Sequence, residues 1–151
     1  MKDYEPFFEK LRLDIQTRGW SIVAVGSNAH KPSFAHTVGL VTSFKHPEII
    51  VFGLDLEDTG IVLNSLGSQI KKGQTFKPGT RYTDVFQQGY DAQFVSVLPQ
   101  HHSFISFAFE QKAEMEVTAL QLLFPDQSNR FPLEEGFDQK WMPPLLNRLD
   151  I

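Results

Sequence analysis

His46 and Glu48 stand two residues apart in the run KHPEII, a spacing that puts both side chains on one side of an extended chain. An imidazole beside a carboxylate can relay a proton or share a metal ion. Metal sites want three or four ligands, however, and the other candidates, His30, His101, His102 and Asp126, are scattered along the chain. The alternative is a capped turn, in which Pro47 sets the bend and the two polar side chains bond exposed amides. Ala35, Thr37 and Gly39 alternate as three small side chains. They leave a shallow trough for a flat ligand or another backbone, and the Thr37 hydroxyl could donate to a phosphate or carbonyl. His36, on the opposite face with Phe34, Val38 and Leu40, reads as a core-edge histidine bonded to backbone.

Gln121 interrupts the otherwise apolar run EVTALQLLF. A buried amide there must meet a ligand edge or a neighbouring loop, because leaving it unpaired costs about 1–3 kcal/mol. Asp126 and Arg130, four apart across a turn, can pair with each other or contact an anion or sugar together, and Asn64 poses the same question. The candidate ligand-binding residues are thus Thr37, Gly39, His46, Glu48, Gln121 and Asp126, with no residue assigned to catalysis or to a metal. No G-x-S-x-G elbow, P-loop or dinucleotide glycine pattern is present, so acyl transfer, NTP hydrolysis and NAD chemistry have no positive support.

The elements that must position these residues follow from periodicity. Residues 33–41 alternate with period two and residues 48–54 are almost wholly apolar, so they predict two strands joined by a short turn. A strand apolar on both faces belongs in the middle of a sheet covered on both sides. Before this pair, Tyr4, Phe7, Phe8, Leu11 and Ile15 mark an amphipathic helix capped by Asp3 and stopped at Gly19, and residues 20–26 predict a strand. After it, residues 56–72 predict a helix with acids in its first turn, lysines in its last and Gly73 beyond. Gly60 and Gly67 weaken that helix and imply close approach of another surface, for which the small-residue row 35, 37, 39 is the expected partner. A hairpin over about 81–98, a short helix capped by Ser103 and a strand at 116–124 complete the pattern. Short turns preclude parallel neighbours except across the helix at 56–72. The expectation is one α+β domain over 1–151, with a mostly antiparallel, curled or barrel-like sheet and two or three helices.

Composition bounds the function. With 151 residues the chain can bury about two-thirds of its unfolded surface and needs no staples. The absence of Cys removes thiol chemistry and disulfides and fits a cytoplasmic location. A net charge of −4 and a single basic doublet, Lys71-Lys72, argue against nucleic acid and anionic membranes as partners. Neither a signal peptide nor a membrane span is expected. Fourteen Phe imply an aromatic core with some rings lining a pocket.

Taken together, HTVGL, HPEIIVFGL, Asn64, KKGQTFKPG and LQLLFPDQSNRFP resemble a bacterial family, domain of unknown function four-two-six-two, from about Trp20 to Leu146. Members of that family often carry Tyr where His36 stands, and a Gln-Pro pair where this chain has Pro143-Pro144. The resemblance implies a family and no activity. The opening strand, turn, strand and helix are also similar to flavin-reductase-like split barrels, which implies an FMN-like cofactor. Two functions are therefore expected. One is a small-molecule site, flavin-like or nucleotide-like, at the central strand pair. The other is a non-enzymatic module that binds or neutralises a protein partner, a second copy of the chain included, through exposed Phe residues.

Overall fold

Residues 48–52, EIIVF, are buried at every position and lie third from one edge of a six-stranded sheet. The computed structural model that shows this describes residues 5–26, 33–86, 89–110 and 116–149. The expected cap Asp3, its neighbour Tyr4, and the connection at 27–32 with His30 lie outside the described residues.

The elements run α1 (Glu5–Arg18), β1 (Ser21–Val25), β2 (Phe34–Val38), α2 (Leu40–Phe44), β3 (Glu48–Phe52), α3 (Leu56–Lys71), β4 (Arg81–Tyr82) and β5 (Ala92–Ser96). A 3-10 segment (Pro99–Ile105) then leads into α4 (Ser106–Glu110), followed by β6 (Ala119–Leu123) and a 3-10 turn (Gln139–Trp141). The strand order is β1-β2-β3-β6-β5-β4. Every pairing is antiparallel except β3 with β6. The fold is α+β with a mostly antiparallel sheet, as periodicity predicts. The sheet is open rather than barrel-like, because the two-residue β4 offers too few ladder groups to close it on β1. The parallel pair is bridged by α3, the β4-β5 hairpin and the segment through α4, a crossover much longer than α3 alone.

Both faces of the sheet are covered, which is what the apolar β3 requires. On one side Trp20, Ala35, Ile49, Val51, Phe94 and Leu122 pack against Leu63, Leu66 and Ile70 of α3. On the other, Val23, Val38, Ile50 and Phe52 meet Leu11 of α1, Ile105 and Ala108 of the helical segment, and Leu146 of the tail. The helix α3 starts as its sequence demands, with the Asp55 side chain accepting from the Asp58 amide at 2.8 Å and Lys71 in the last turn.

Three local expectations are corrected. Leu40 and Val41 belong to the short helix α2 instead of extending β2. Gly39 ends the strand with φ 107°, a conformation that side chains disfavour, and the helix starts there. The first strand of the hairpin pairs only at Arg81 and Tyr82, after which 83–86 leave the ladder. Ser103 lies inside the 3-10 segment, which begins after Leu98 with Pro99 leading. Proline starts such a segment without cost, since its missing N–H would go unpaired there anyway.

The glycine of α3 finds a different partner from the one expected. A Cβ on Gly67 would sit 2.4 Å from the Trp20 indole, whose Nε1 donates to Asn64 Oδ1 at 3.0 Å. Gly67 therefore admits a ring, and Asn64 satisfies its N–H. Gly39 is instead closed off by α1, with a Cβ there falling 2.8 Å from the Gly19 carbonyl and 2.9 Å from Ile15. Gly60 faces open space. Gly67→Ala should accordingly lower stability by about 1–3 kcal/mol through overpacking, whereas Gly60→Ala should raise it by about 0.5–1 kcal/mol through helix propensity. Urea unfolding followed by Trp fluorescence reads both, with midpoints moving in opposite directions.

Candidate functional site

The polar residues at the amino end of β3 form a closed cluster. Glu48 is buried, and its carboxylate accepts from the Thr37 hydroxyl (2.8 Å) and the amides of Gly39 (3.2 Å), Leu40 (3.1 Å) and Val41 (3.1 Å). Thr37 in turn accepts from the Ile49 amide at 2.9 Å. Burial pushes the Glu48 carboxyl up to about 7, against these hydrogen bonds, which pull it down. His46 points elsewhere. Its Nε2 accepts from the Phe76 amide at 3.0 Å and its Nδ1 donates to the Pro47 carbonyl at 2.8 Å, which fixes one neutral tautomer. Burial lowers its pKa. Thr37, Gly39 and Glu48 are thus brought together, with His46 tying β3 to Phe76.

His36 is wholly buried on the other face, with Nδ1 donating to the Thr37 carbonyl at 2.9 Å and its ring stacked on Phe107. Its Nε2 meets no hydrogen-bond partner among the described residues. Burial pulls this imidazole down to about 4.

Gln121 pins the C-terminal tail. Its amide nitrogen donates to the Pro144 carbonyl at 2.7 Å and its oxygen accepts from the Leu146 amide at 2.8 Å. Asp126 organises the turn that follows β6, accepting from the amides of Ser128 (2.9 Å), Arg130 (3.0 Å) and Asp138 (3.0 Å) and from Arg130 Nε (3.2 Å). Desolvation opposes ionisation, but these donors hold its carboxyl below the usual range. Arg81 fastens the same turn to β4 through Asp91, the Asn129 carbonyl and Glu134.

At the opposite end of β3 the polymer leaves room. A cleft of about 640 Å³ opens where β3 and β6 end side by side. One wall is α3, through Asp58, Ile61, Val62 and Ser65, spaced i, i+3, i+4 and i+7. The second wall is Asp84, Val85, Phe86 and Tyr90, from the segment that leaves the hairpin ladder. Phe124 to Gln127 form the third, and Trp141 stands at the rim. Parallel strands commonly bind ligands beyond their carboxyl ends, where their connections diverge. The volume lies in the range of small-molecule sites. Of the six sequence candidates only Asp126 lines this cleft. Its other walls carry a faint signal in the sequence, since Ile61 and Val62 lie beside the core stripe of α3, buried at Leu63, Leu66 and Ile70.

No group of three or more metal-binding side chains occurs among the described residues. None of the described helices is long and apolar enough to cross a membrane.

Compared with known proteins, residues 14–138 match the family described as Domain of unknown function (DUF4262), and the chain belongs to that family. No curated protein and no solved structure matches it.

Two of the buried titratable groups, Glu48 and His36, give stability opposite pH slopes. Unfolded, Glu48 ionises near 4.5; folded, it keeps its proton to about 7, so its contribution is present below 4.5 and lost as pH rises through 7. Unfolded, His36 takes a proton near 6.5; folded, it refuses one until about 4, so its contribution is present above 6.5 and lost as pH falls through 4. Each is worth up to about 3 kcal/mol at about 1.4 kcal/mol per pH unit. Between pH 4.5 and 6.5 they offset one another. Denaturation across this interval should therefore show a flatter profile for the parent than for its variants. Glu48→Gln should lose stability towards acid, and His36→Phe should lose it towards neutrality.

Proposed function

We propose that this domain is a small-molecule-binding module whose site is the cleft at the carboxyl ends of β3 and β6, and that its ligand carries a flat apolar ring without a phosphate. The carrying observation is the cleft itself: about 640 Å³, walled by the apolar side chains of Val62, Phe86, Phe124 and Trp141 alongside Asp58, Ser65 and Asp84. Aromatic walls suit a planar ring by offset or edge contact. This keeps the ring of the flavin-like or nucleotide-like ligand that the sequence suggests. Its phosphate fits poorly, because Asp58 and Asp84 border the cleft and no Lys, Arg or His does among the described residues. The ligands's place also moves, from the central strands' polar amino end, where donors and acceptors are paired with each other, to their carboxyl end.

A protein partner is the second reading, and one observation favours it. Leu56, Ile61 and Trp141 are exposed apolar side chains, and the last two border the cleft. No exposed Phe of the kind expected to form such a contact is found among the Phe whose side chains are described.

Riboflavin and FMN test the proposal, because they differ only by the phosphate. Riboflavin should quench Trp141 fluorescence and bind at least about tenfold more tightly than FMN, the repulsion amounting to about 1.4 kcal/mol. Ser65→Phe, which fills the α3 wall, should abolish the quenching while far-ultraviolet circular dichroism stays unchanged. Equal or tighter FMN binding would reject the phosphate-free ligand. Absence of binding by either would reject the cleft as a ring site and favour the exposed rim as a protein contact.

A further inference from the structure

Resting on the reading of the cleft as a ligand site, we infer that it selects an organic cation: an amine-bearing ligand whose apolar ring lies among the aromatic walls while its ammonium group faces Asp58 and Asp84.

Charge on the cleft is one-sided. Asp58, Asp84 and Asp126 line it, and their counter-charges are unequal. Asp126 is already neutralised by Arg130 at 3.2 Å and by three amides, which leaves the other two carboxylates to set the field. The amino terminus of α3 does not reverse that sign. A helix N-terminus is worth about half a positive charge, and here Asp55 caps it while Glu57 and Asp58 occupy its first turn. The nearby cations are committed as well, Lys140 lying 3.7 Å from Asp138 and 5.7 Å from the Trp141 ring centre. That last contact shows a ring of this rim accepting an ammonium group from the chain itself. Faces of Trp and Phe attract cations within about 6 Å, so the walls and the carboxylates favour the same ligand charge. The hydroxyl of Ser65, also on the cleft, can accept a further hydrogen bond from an ammonium.

Three probes with one ring and different heads separate this from mere hydrophobic filling: phenethylamine, phenethyl alcohol and hydrocinnamate. Calorimetric titration of the intact chain at neutral pH and low salt should rank amine above alcohol above carboxylate. The amine should lead the alcohol by about tenfold, from two screened ion contacts and one cation–ring contact. Added salt should narrow that lead. In Asp58→Asn/Asp84→Asn the ratio of amine to alcohol affinity should fall towards one, and a ratio is insensitive to the fraction of folded protein. Equal affinities, or a carboxylate that binds best, would overturn the inference while leaving the cleft a ring site. If riboflavin binds and all three probes do not, the cation inference fails alone. If nothing binds, the reading of the cleft fails with it.

Discussion

The architecture turns on the buried carboxylate of Glu48. Burial resists its ionisation, so that it holds its proton up to about 7, and four donors, one hydroxyl and three amides, partly offset that penalty. Those donors come from the end of β2 and the start of α2, so a single side chain ties three consecutive elements at one point. Above about pH 7, where the carboxyl is ionised, these hydrogen bonds become charge-assisted, and such bonds are about twice as strong as neutral ones. They also explain why the chain reverses through a helical turn instead of a tight hairpin. The first amides of a helix need acceptors, and the carboxylate supplies them from the next strand.

Saturation at one end of the central strands has a counterpart at the other. At the amino end of β3, Thr37 and Glu48 are paired with each other and with neighbouring amides, and His46 with the Phe76 amide and the Pro47 carbonyl. At the carboxyl end, β3 runs into α3 and β6 runs into the turn built on Asp126. Parallel neighbours end together but their connections part, and the gap between them is not filled by core side chains. The ties made by Asp126 and Arg81 hold the third wall and the hairpin segment in place around this gap. Gln121 holds the tail by a comparable pair of bonds to Pro144 and Leu146.

The Phe with described side chains divide accordingly. Most build the two cores that sandwich the sheet, while Phe86 and Phe124 stand edge to face, 6.4 Å apart, where the cleft opens. An aromatic surplus in a sequence therefore measures how much ring area the chain owns. It does not say which rings meet one another and which are left facing an opening.

Several features were legible in the residues themselves. The terminal charges of α3, the two-sided burial of β3, the period-two faces of β2 and the need of Gly67 for a close neighbour all follow from local spacing and from where each side chain must go. The partner of Gly67 was not legible, because Trp20 is distant in sequence and a glycine does not specify what fills the space beside it. Nor was α2: period-two alternation through Leu40 and Val41 argues for strand, and only a carboxylate seven or eight residues downstream turns the balance. The parallel pairing of β3 with β6 and the cleft beyond it were decided by tertiary structure alone. Its walls come from segments near residues 60, 85, 125 and 141, and no local pattern carries information about which distant segments will end side by side.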